Sequence, residues 1–293
     1  MPQRNNEKPT TYFVQDRQSK NELFRLAIQD QMITQKMGGI FPEQEQPESI
    51  QHVLDIGCGT GNWIIEAAQT YPTMSLVGID ISPRMIEYAQ KIASTQSISS
   101  RVKFQVMDAL NALEFPAETF DLVNIRLGSS FMRTWDWPRL ITEMLRVTRP
   151  GGTIRIMESG VISDNRRGEH IHLHKMFIHS LFQAGHLFED ESTGLIQRLP
   201  ELLKQNGGQN VQTKDYELVY QAGTEAGEIY YENFMHLFHM LRPFLEKWGS
   251  APEEYDALYR EALSEIRHPK FCAQWHFLCT WGTKRAPNPS MDA

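Results

Sequence analysis

Apolar residues recur along the chain at two spacings, and the change from one to the other marks the elements. The first helical pattern starts at Ser19, where Ser19-Lys-Asn-Glu22 has capping-box spacing and Leu23, Phe24, Leu26, Ala27, Ile28 and Met32 follow at helical intervals. Gly38-Gly39 ends it, and a polar Pro/Glu/Gln connector over residues 42–50 leads into the next block. From His52 to about Glu158, short runs of Val, Ile, Leu and Phe alternate with helical patterns, as βαβ units do around a parallel sheet covered on both faces. The runs predict strands at 52–56, 75–80, 102–107, 120–125 and 152–158. Ser82-Pro83 and Asp136-Trp-Pro138 have the cap-then-proline order of helix starts, and Pro150-Gly151-Gly152 predicts a turn before the fifth strand. Residues 160–268 are mostly helical in pattern, with one strand-like stretch at 210–220, and the aromatic-rich tail 271–282 predicts a final strand. A pair of strands flanking the helical insertion 224–268 then completes the sheet.

Composition adds bounds to this pattern. At 293 residues the chain suits one large domain, or a domain with a sizeable appendage, and it needs no disulfide staples. With 41% apolar and 22% charged residues it is neither collagen-like, coiled-coil nor disordered over most of its length. A formal charge of −7 disfavours a broad electrostatic grip on nucleic acid or anionic lipid, a local basic groove excepted. Cys58, Cys272 and Cys279 lack the paired spacing of a zinc site or disulfide framework and read as a reduced, intracellular set. There is no signal-peptide core at the N-terminus and no run near the ~18 apolar residues of a membrane span, so a soluble cytoplasmic protein is expected.

The chemistry-bearing run is Val53-Leu-Asp55-Ile-Gly57-Cys-Gly59-Thr-Gly61, a strand followed at once by glycines and a helical pattern. Glycines stand where the chain must turn sharply and let a ligand approach the backbone. A dinucleotide fingerprint would need its third glycine at position 62, which is Asn, so the pattern favours a nucleoside-type ligand without a pyrophosphate. Asp80 closes the second strand about twenty residues on, where a carboxylate can accept from both hydroxyls of a ribose. Asp108 follows the third strand, within reach of an exocyclic amino group.

Together these residues resemble the class I S-adenosylmethionine-dependent methyltransferases. VLDIGCGTG matches that family's first motif, GIDIS the second, VMDAL the third, FDLVNIRL the fourth-strand motif, and RVTRPGGTIRI the turn and strand that follow. Five motifs in the right order and spacing make the set specific over roughly residues 50–160. The resemblance implies an α/β fold: a Rossmann-like sheet of seven strands, the last antiparallel, with helices on both faces and helical cover insertions. It divides the chain into an N-terminal helical lid and connector at 1–50, a cofactor-binding core at 51–160, and a substrate-covering region with the C-terminal strand pair at 161–293. The implied cofactor is S-adenosyl-L-methionine. Gly57, Gly59 and Gly61 would turn against its methionine part, with Asp55 orienting the loop and the amino group. Asp80 would hold the ribose, Ile81 would pack on the adenine, and Asp108 with Ala109 would read the adenine edge. Asn124 would face the methionine portion with Arg126 just beyond, and Tyr12 would cover the cofactor as a lid.

The second half bears on the acceptor. Its segments 160–206 and 224–268, with the N-terminal helix, are rich in Phe, Tyr, Met, His and Trp, which suits an enclosed, mostly apolar pocket for a small organic molecule. In Glu169-His170-Ile-His172-Leu-His174 the apolar spacing favours a helix, which puts only His170 and His174 on one face; two ligands are too few for a metal site, and none is expected. His170 and His174 are candidate catalytic residues, with core or pocket lining as the alternative; His236 and His239 on an aromatic helix read as core, with substrate contact as the alternative. Glu158 ends the fifth strand at the functional edge, as a candidate general base, an acceptor-binding group or a helix cap.

The expected activity is methyl transfer to O, N or C of a small apolar or aromatic metabolite, as in secondary metabolism. A cofactor-bound enzyme of the same fold that catalyses a cyclisation or pericyclic step is the alternative. A methyltransferase for RNA or protein ranks below both. The balance is acidic, and Asn124-Ile-Arg126-Leu stands where an amino-methylating Asn/Asp-Pro-Pro-aromatic tetrad would be. The expected partner is a small-molecule acceptor, not nucleic acid or a membrane, and a homodimer is left open.

Overall fold

The computed structural model describes residues 12–14, 20–160, 168–248 and 251–286. Ser19, expected to cap the first helix, lies outside them; helix α1 runs Lys20–Met37 and stops where Gly38 and Gly39 both take positive φ. Seven strands form one sheet: β1 (His52–Ile56), β2 (Ser75–Asp80), β3 (Val102–Val106), β4 (Phe120–Arg126), β5 (Thr148–Ser159), β6 (Gln209–Gln221) and β7 (Cys272–Thr283). Their order is β3-β2-β1-β4-β5-β7-β6. The first five pair in parallel, and β7 runs antiparallel to both neighbours. This is the expected seven-stranded sheet with its last strand reversed.

Helices on both faces explain the unbroken apolar runs. In β1 four consecutive residues are buried, and in β4 six, so no solvated face alternates with the core. Four helices lie between the parallel strands or precede them: α1, α2 (Asn62–Thr70), α3 (Pro83–Thr95) and α4 (Trp137–Val147). The start of α3 is as read, since the Ser82 hydroxyl accepts from the Met85 N–H. Asp136 differs. Its carboxylate accepts from the Arg133 N–H in the preceding turn and makes no cap bond to α4.

Strand boundaries also move, most by a single residue. β3 ends at Val106, one residue short of the expected limit. β5 begins at Thr148, because Thr148 already pairs with Phe120 and the ladder resumes at Thr153 opposite Leu122; Pro150-Gly151-Gly152 interrupts the strand instead of preceding it.

The remaining helices are α5 (Glu169–Gln183), α6 (Leu199–Gln205), α7 (Glu225–Lys247) and α8 (Tyr255–Ile266). The first turn of α5 has its free N–H groups satisfied from another helix: the Glu265 carboxylate of α8 accepts from Glu169 and His170, both at 2.9 Å. Helix α1 is tied to α7 by Arg25, which donates to Asn233 at 3.2 Å. No helix among the described residues is long and apolar enough to cross a membrane.

Candidate functional site

Strand order reverses between β1 and β4, and the crevice at their carboxyl ends is where open α/β sheets hold ligands. A cavity of about 200 Å³ opens there. The β1–α2 turn, with Gly57 and Gly59, forms its floor, and the ends of β2, β3 and β4 and the inner face of α1 form its walls. The three motif glycines have φ of 69°, 53° and 75°, the left-handed region that other residues enter only with strain.

Asp80 stitches this turn to its neighbour. One carboxylate oxygen accepts from the Gly59 N–H at 3.0 Å and the other from the Ser82 N–H at 2.8 Å. Asp108 shapes the next loop in the same manner, accepting from the Leu110 N–H at 3.0 Å and the Asn111 amide at 2.9 Å. Both line the cavity, as do Ile81, Ala109, Asp55 and Tyr12. The Tyr12 hydroxyl donates to Glu22 at 2.6 Å, and Arg25 braces that carboxylate from the other side at 2.7 and 2.8 Å. The Tyr12 ring is therefore held over the cavity by a buried ion pair within α1.

Arg126 lines the cavity and forms an ion pair with Asp30 of α1, another lining residue, while its guanidinium lies 5.3 Å from the Trp63 ring centre. Asp55 is buried, and burial pushes its carboxyl up to about 7; Arg126 and the Asn124 hydrogen bond pull the other way without cancelling this. Cys58 also lines the cavity, but burial and the nearby Asp80 and Asp55 push its thiol well above the ordinary range, which disfavours the thiolate a nucleophile needs.

Several expected site residues sit elsewhere. Gly61 is not on the cavity: a Cβ there would come within 2.7 Å of the Phe104 ring and 2.8 Å of Ala89, so this glycine serves close packing of α2. Asn124 does not face the cavity either. It is fully buried behind Asp55, to which its amide donates at 2.7 Å.

The three candidate catalytic residues are also off the cavity. Glu158 is buried beneath the loop after β4, accepting from the Ser129 N–H at 3.1 Å and the Ser129 hydroxyl at 2.7 Å, and so shapes the segment that bears Ser130 and Phe131. Burial pushes Glu158 up to about 7 against those hydrogen bonds. His170 and His174 share the Tyr230 hydroxyl at 2.5 and 3.3 Å inside an aromatic core with Phe234 and Phe238. Their spacing did place them on one helix face, but that face packs against α7. Among the described residues no group of three His, Cys, Asp or Glu side chains could hold a metal.

Glu22, expected only as a capping-box partner, and Arg25, Asp30, Glu43 and Arg155 were not assigned to the site from the sequence. Arg155 had a signal, because a charged residue inside the apolar run of a doubly covered strand needs a buried partner. Asp30 had none, since a polar residue on an amphipathic helix is ordinary.

A methyltransferase domain model matches residues 53–152. The demethylmenaquinone methyltransferase of Symbiobacterium thermophilum is 32% identical over 109 residues, 37% of this chain and 42% of that protein. Ajmaline N-methyltransferase of Rauvolfia serpentina is 35% identical over 117 residues, 40% of this chain and 38% of that protein. The chloroplastic tocopherol O-methyltransferase of Arabidopsis thaliana is 33% identical over 122 residues, 42% and 34% of the two chains. These matches span less than half the length of the curated relatives. Among solved structures, phosphoethanolamine N-methyltransferase 2 of Haemonchus contortus with S-adenosyl-L-methionine superposes with a TM-score of 0.52 at 19% identity, covering 93% of this chain and 59% of that one. At that identity the likeness speaks for the fold alone. Five ordered motifs, the sheet that carries them and the match over residues 53–152 agree: the chain holds a methyltransferase domain of the class I family, whose cofactor is S-adenosyl-L-methionine.

Proposed function

We propose that this chain transfers a methyl group from S-adenosyl-L-methionine to O, N or C of a small, largely apolar or aromatic molecule. The observation that carries the reading is the charge pattern of the cavity: among the described residues Asp30, Asp55, Asp80 and Asp108 line it against one cation, Arg126, already paired with Asp30. A cavity of that sign suits a ligand with a sulfonium and an ammonium and disfavours a phosphate-bearing one. The space fits as well, since a Cβ at Gly59 would meet nothing within 4 Å, leaving the turn open to close approach.

In this reading Asp80 accepts from the ribose hydroxyls, and Ile81 and Ala109 pack on the adenine. Asp108 accepts from its amino group, and Asp55 faces the ammonium. When bound, the cofactor supplies an activated methyl group for in-line displacement. The protein supplies position: α1, Tyr12 and the loop carrying Leu127, Ser130 and Phe131 close over the site, exclude water and hold the acceptor in line. Leu26, Ile33, Leu127 and Phe131 also line the cavity, which supports an apolar substrate. Relatives named for demethylmenaquinone, ajmaline and tocopherol support a small organic acceptor.

Incubation with methyl-labelled cofactor and a panel of such acceptors tests this. Label transfer to one of them, with demethylated cofactor formed in step, is the expected result. Failure of S-adenosylhomocysteine to bind in calorimetry would overturn the reading, and product without demethylated cofactor would replace it with a non-methylating reaction.

A further inference from the structure

The geometry points to a row of buried polar side chains, Glu43, Arg155 and Asn124, as a positioning device for Asp55: the row fixes the Asn124 amide so that its NH₂ faces the Asp55 carboxylate, setting that carboxylate to receive a cationic amino group. This rests on the cofactor reading above.

The row follows from strand register. Asp55 pairs with Asn124 across β1 and β4, and Asn124 pairs with Arg155 across β4 and β5, so the three side chains stand in line on one face of the sheet. Arg155 is 1% exposed. Its Nη1 donates to Asn124 Oδ1 at 2.8 Å, and Asn124 Nδ2 donates to Asp55 Oδ1 at 2.7 Å. At the far end Arg155 Nε donates to Glu43 Oε1 at 2.7 Å and Nη2 to Glu43 Oε2 at 3.4 Å. Burial alone would raise the Glu43 carboxyl, but Arg155 outweighs it and holds it below its ordinary range, so the pair stays ionised.

The chemistry of the donors makes the row directional. A guanidinium has only donors, so the Asn124 atom that meets Arg155 must be the oxygen, and the atom left for Asp55 must be the nitrogen. A donor stabilises the carboxylate over the acid. For the fold alone, an apolar pair of similar volume would serve as well as a buried Arg–Glu pair, so its place behind Asp55 needs another reason.

Among the described residues the charged and titratable groups facing Asp55 are Arg126 on β4, Asp30 on α1, Arg155 on β5 and the Cys58 thiol on the adjoining turn. Arg126 is engaged by Asp30, so Asn124 supplies the hydrogen bond that favours the ionised form. Because burial holds Asp55 up to about 7, an ammonium-bearing ligand must ionise it on binding below that pH, and affinity rises with pH until Asp55 is fully ionised. Without Arg155 the amide can flip and offer its oxygen to protonated Asp55, which favours the acid.

Two ligands separate this role from a structural one: S-adenosylhomocysteine, which carries the ammonium, and 5′-methylthioadenosine, which lacks it. Their affinities are measured by calorimetry from about pH 5.5 to about pH 9. In Arg155→Met combined with Glu43→Gln, which leaves no charge buried alone, S-adenosylhomocysteine affinity is to fall about tenfold at neutral pH and its plateau to move up by about one pH unit, with 5′-methylthioadenosine within about twofold. Arg155→Lys, still a donor paired with Glu43, is to restore the profile. Asn124→Leu, which leaves the Arg155–Glu43 pair intact, is to give the same split between ligands and covers the case in which the double variant does not fold. An equal loss for both ligands, or an unshifted pH profile, overturns the inference while the cofactor reading stands. If the wild-type protein binds neither ligand, both fall.

Discussion

Asp80 shows how one side chain serves two purposes. Its carboxylate anchors the N–H groups of Gly59 and Ser82 and lines the cavity at the end of β2. Asp80→Ala should therefore weaken S-adenosylhomocysteine by tenfold or more, about 1.4 kcal/mol or above, and loosen the turn as well. Asp80→Asn keeps one acceptor for the backbone and should lose less; equal, near-wild-type affinities for the two variants by calorimetry would remove Asp80 from the ribose site. Asp55, Asp80 and Asp108 could be read from the sequence because each stands in a fixed motif, Asp55 within the first strand, Asp80 at the end of the second and Asp108 just after the third. Asn124 was read as a cavity residue for the same reason. Only the side-chain hydrogen bonds show it one layer behind, since position on a strand gives the edge of the sheet and not which partner the amide finds.

At the scale of the element, the β1–α2 turn contains two glycines with similar φ and opposite surroundings. Gly61 abuts Phe104 and Ala89, while Gly59 borders the open cavity. Gly61→Ala should destabilise the protein by about 2–4 kcal/mol, from the left-handed backbone together with the clash, and lower the thermal midpoint. Gly59→Ala should cost about 1 kcal/mol of stability, from the backbone alone, yet lose S-adenosylhomocysteine binding because its Cβ enters the ligand's space. Thermal melts run beside calorimetry distinguish the two, and a reversed order of the midpoints would show that the packing assignment is wrong. The G-x-G-x-G pattern announces the turn but cannot separate these roles, which depend on side chains from β3 and α3.

Across the whole molecule, buried ionisable groups set opposing dependences on pH. His170 and His174 lie in the aromatic core and His186 beneath the loop after β4, and burial lowers all three, His170 and His186 to about 4. The unfolded chain thus binds more protons on these groups, and the stability they carry above the ordinary imidazole value is lost as pH falls through it toward about 4. His174→Phe, which keeps a ring in the cage beside Phe234 and Phe238, should be near neutral at about pH 8 and stabilise by up to about 2 kcal/mol at about pH 5. Urea melts at both values check it, and an equal effect at the two would exclude a buried neutral imidazole. Glu158 acts in the other direction. Raised to about 7, it binds its proton more tightly in the folded state, so the stability it brings is present in acid and lost as pH rises through that value. Glu158→Gln should flatten the fall in thermal midpoint between about pH 4.5 and about pH 7, and melting curves that stay parallel to the wild type would count against it. The sequence by itself determined the order of elements, the parallel strands, Asp55, Asp80 and Asp108 at the cavity and, through the family its motifs resemble, the reversed last strand, because periodicity and short motifs are local properties of the chain. Only the tertiary structure decided that His170, His174 and Glu158 sit in packing and loop support away from the cavity, that Asp30 of α1 lines the cavity and pairs with Arg126, and that Glu43 and Arg155 stand behind Asp55. Those roles depend on strand register and helix docking between residues far apart in the chain, and no local pattern encodes which distant side chains will meet.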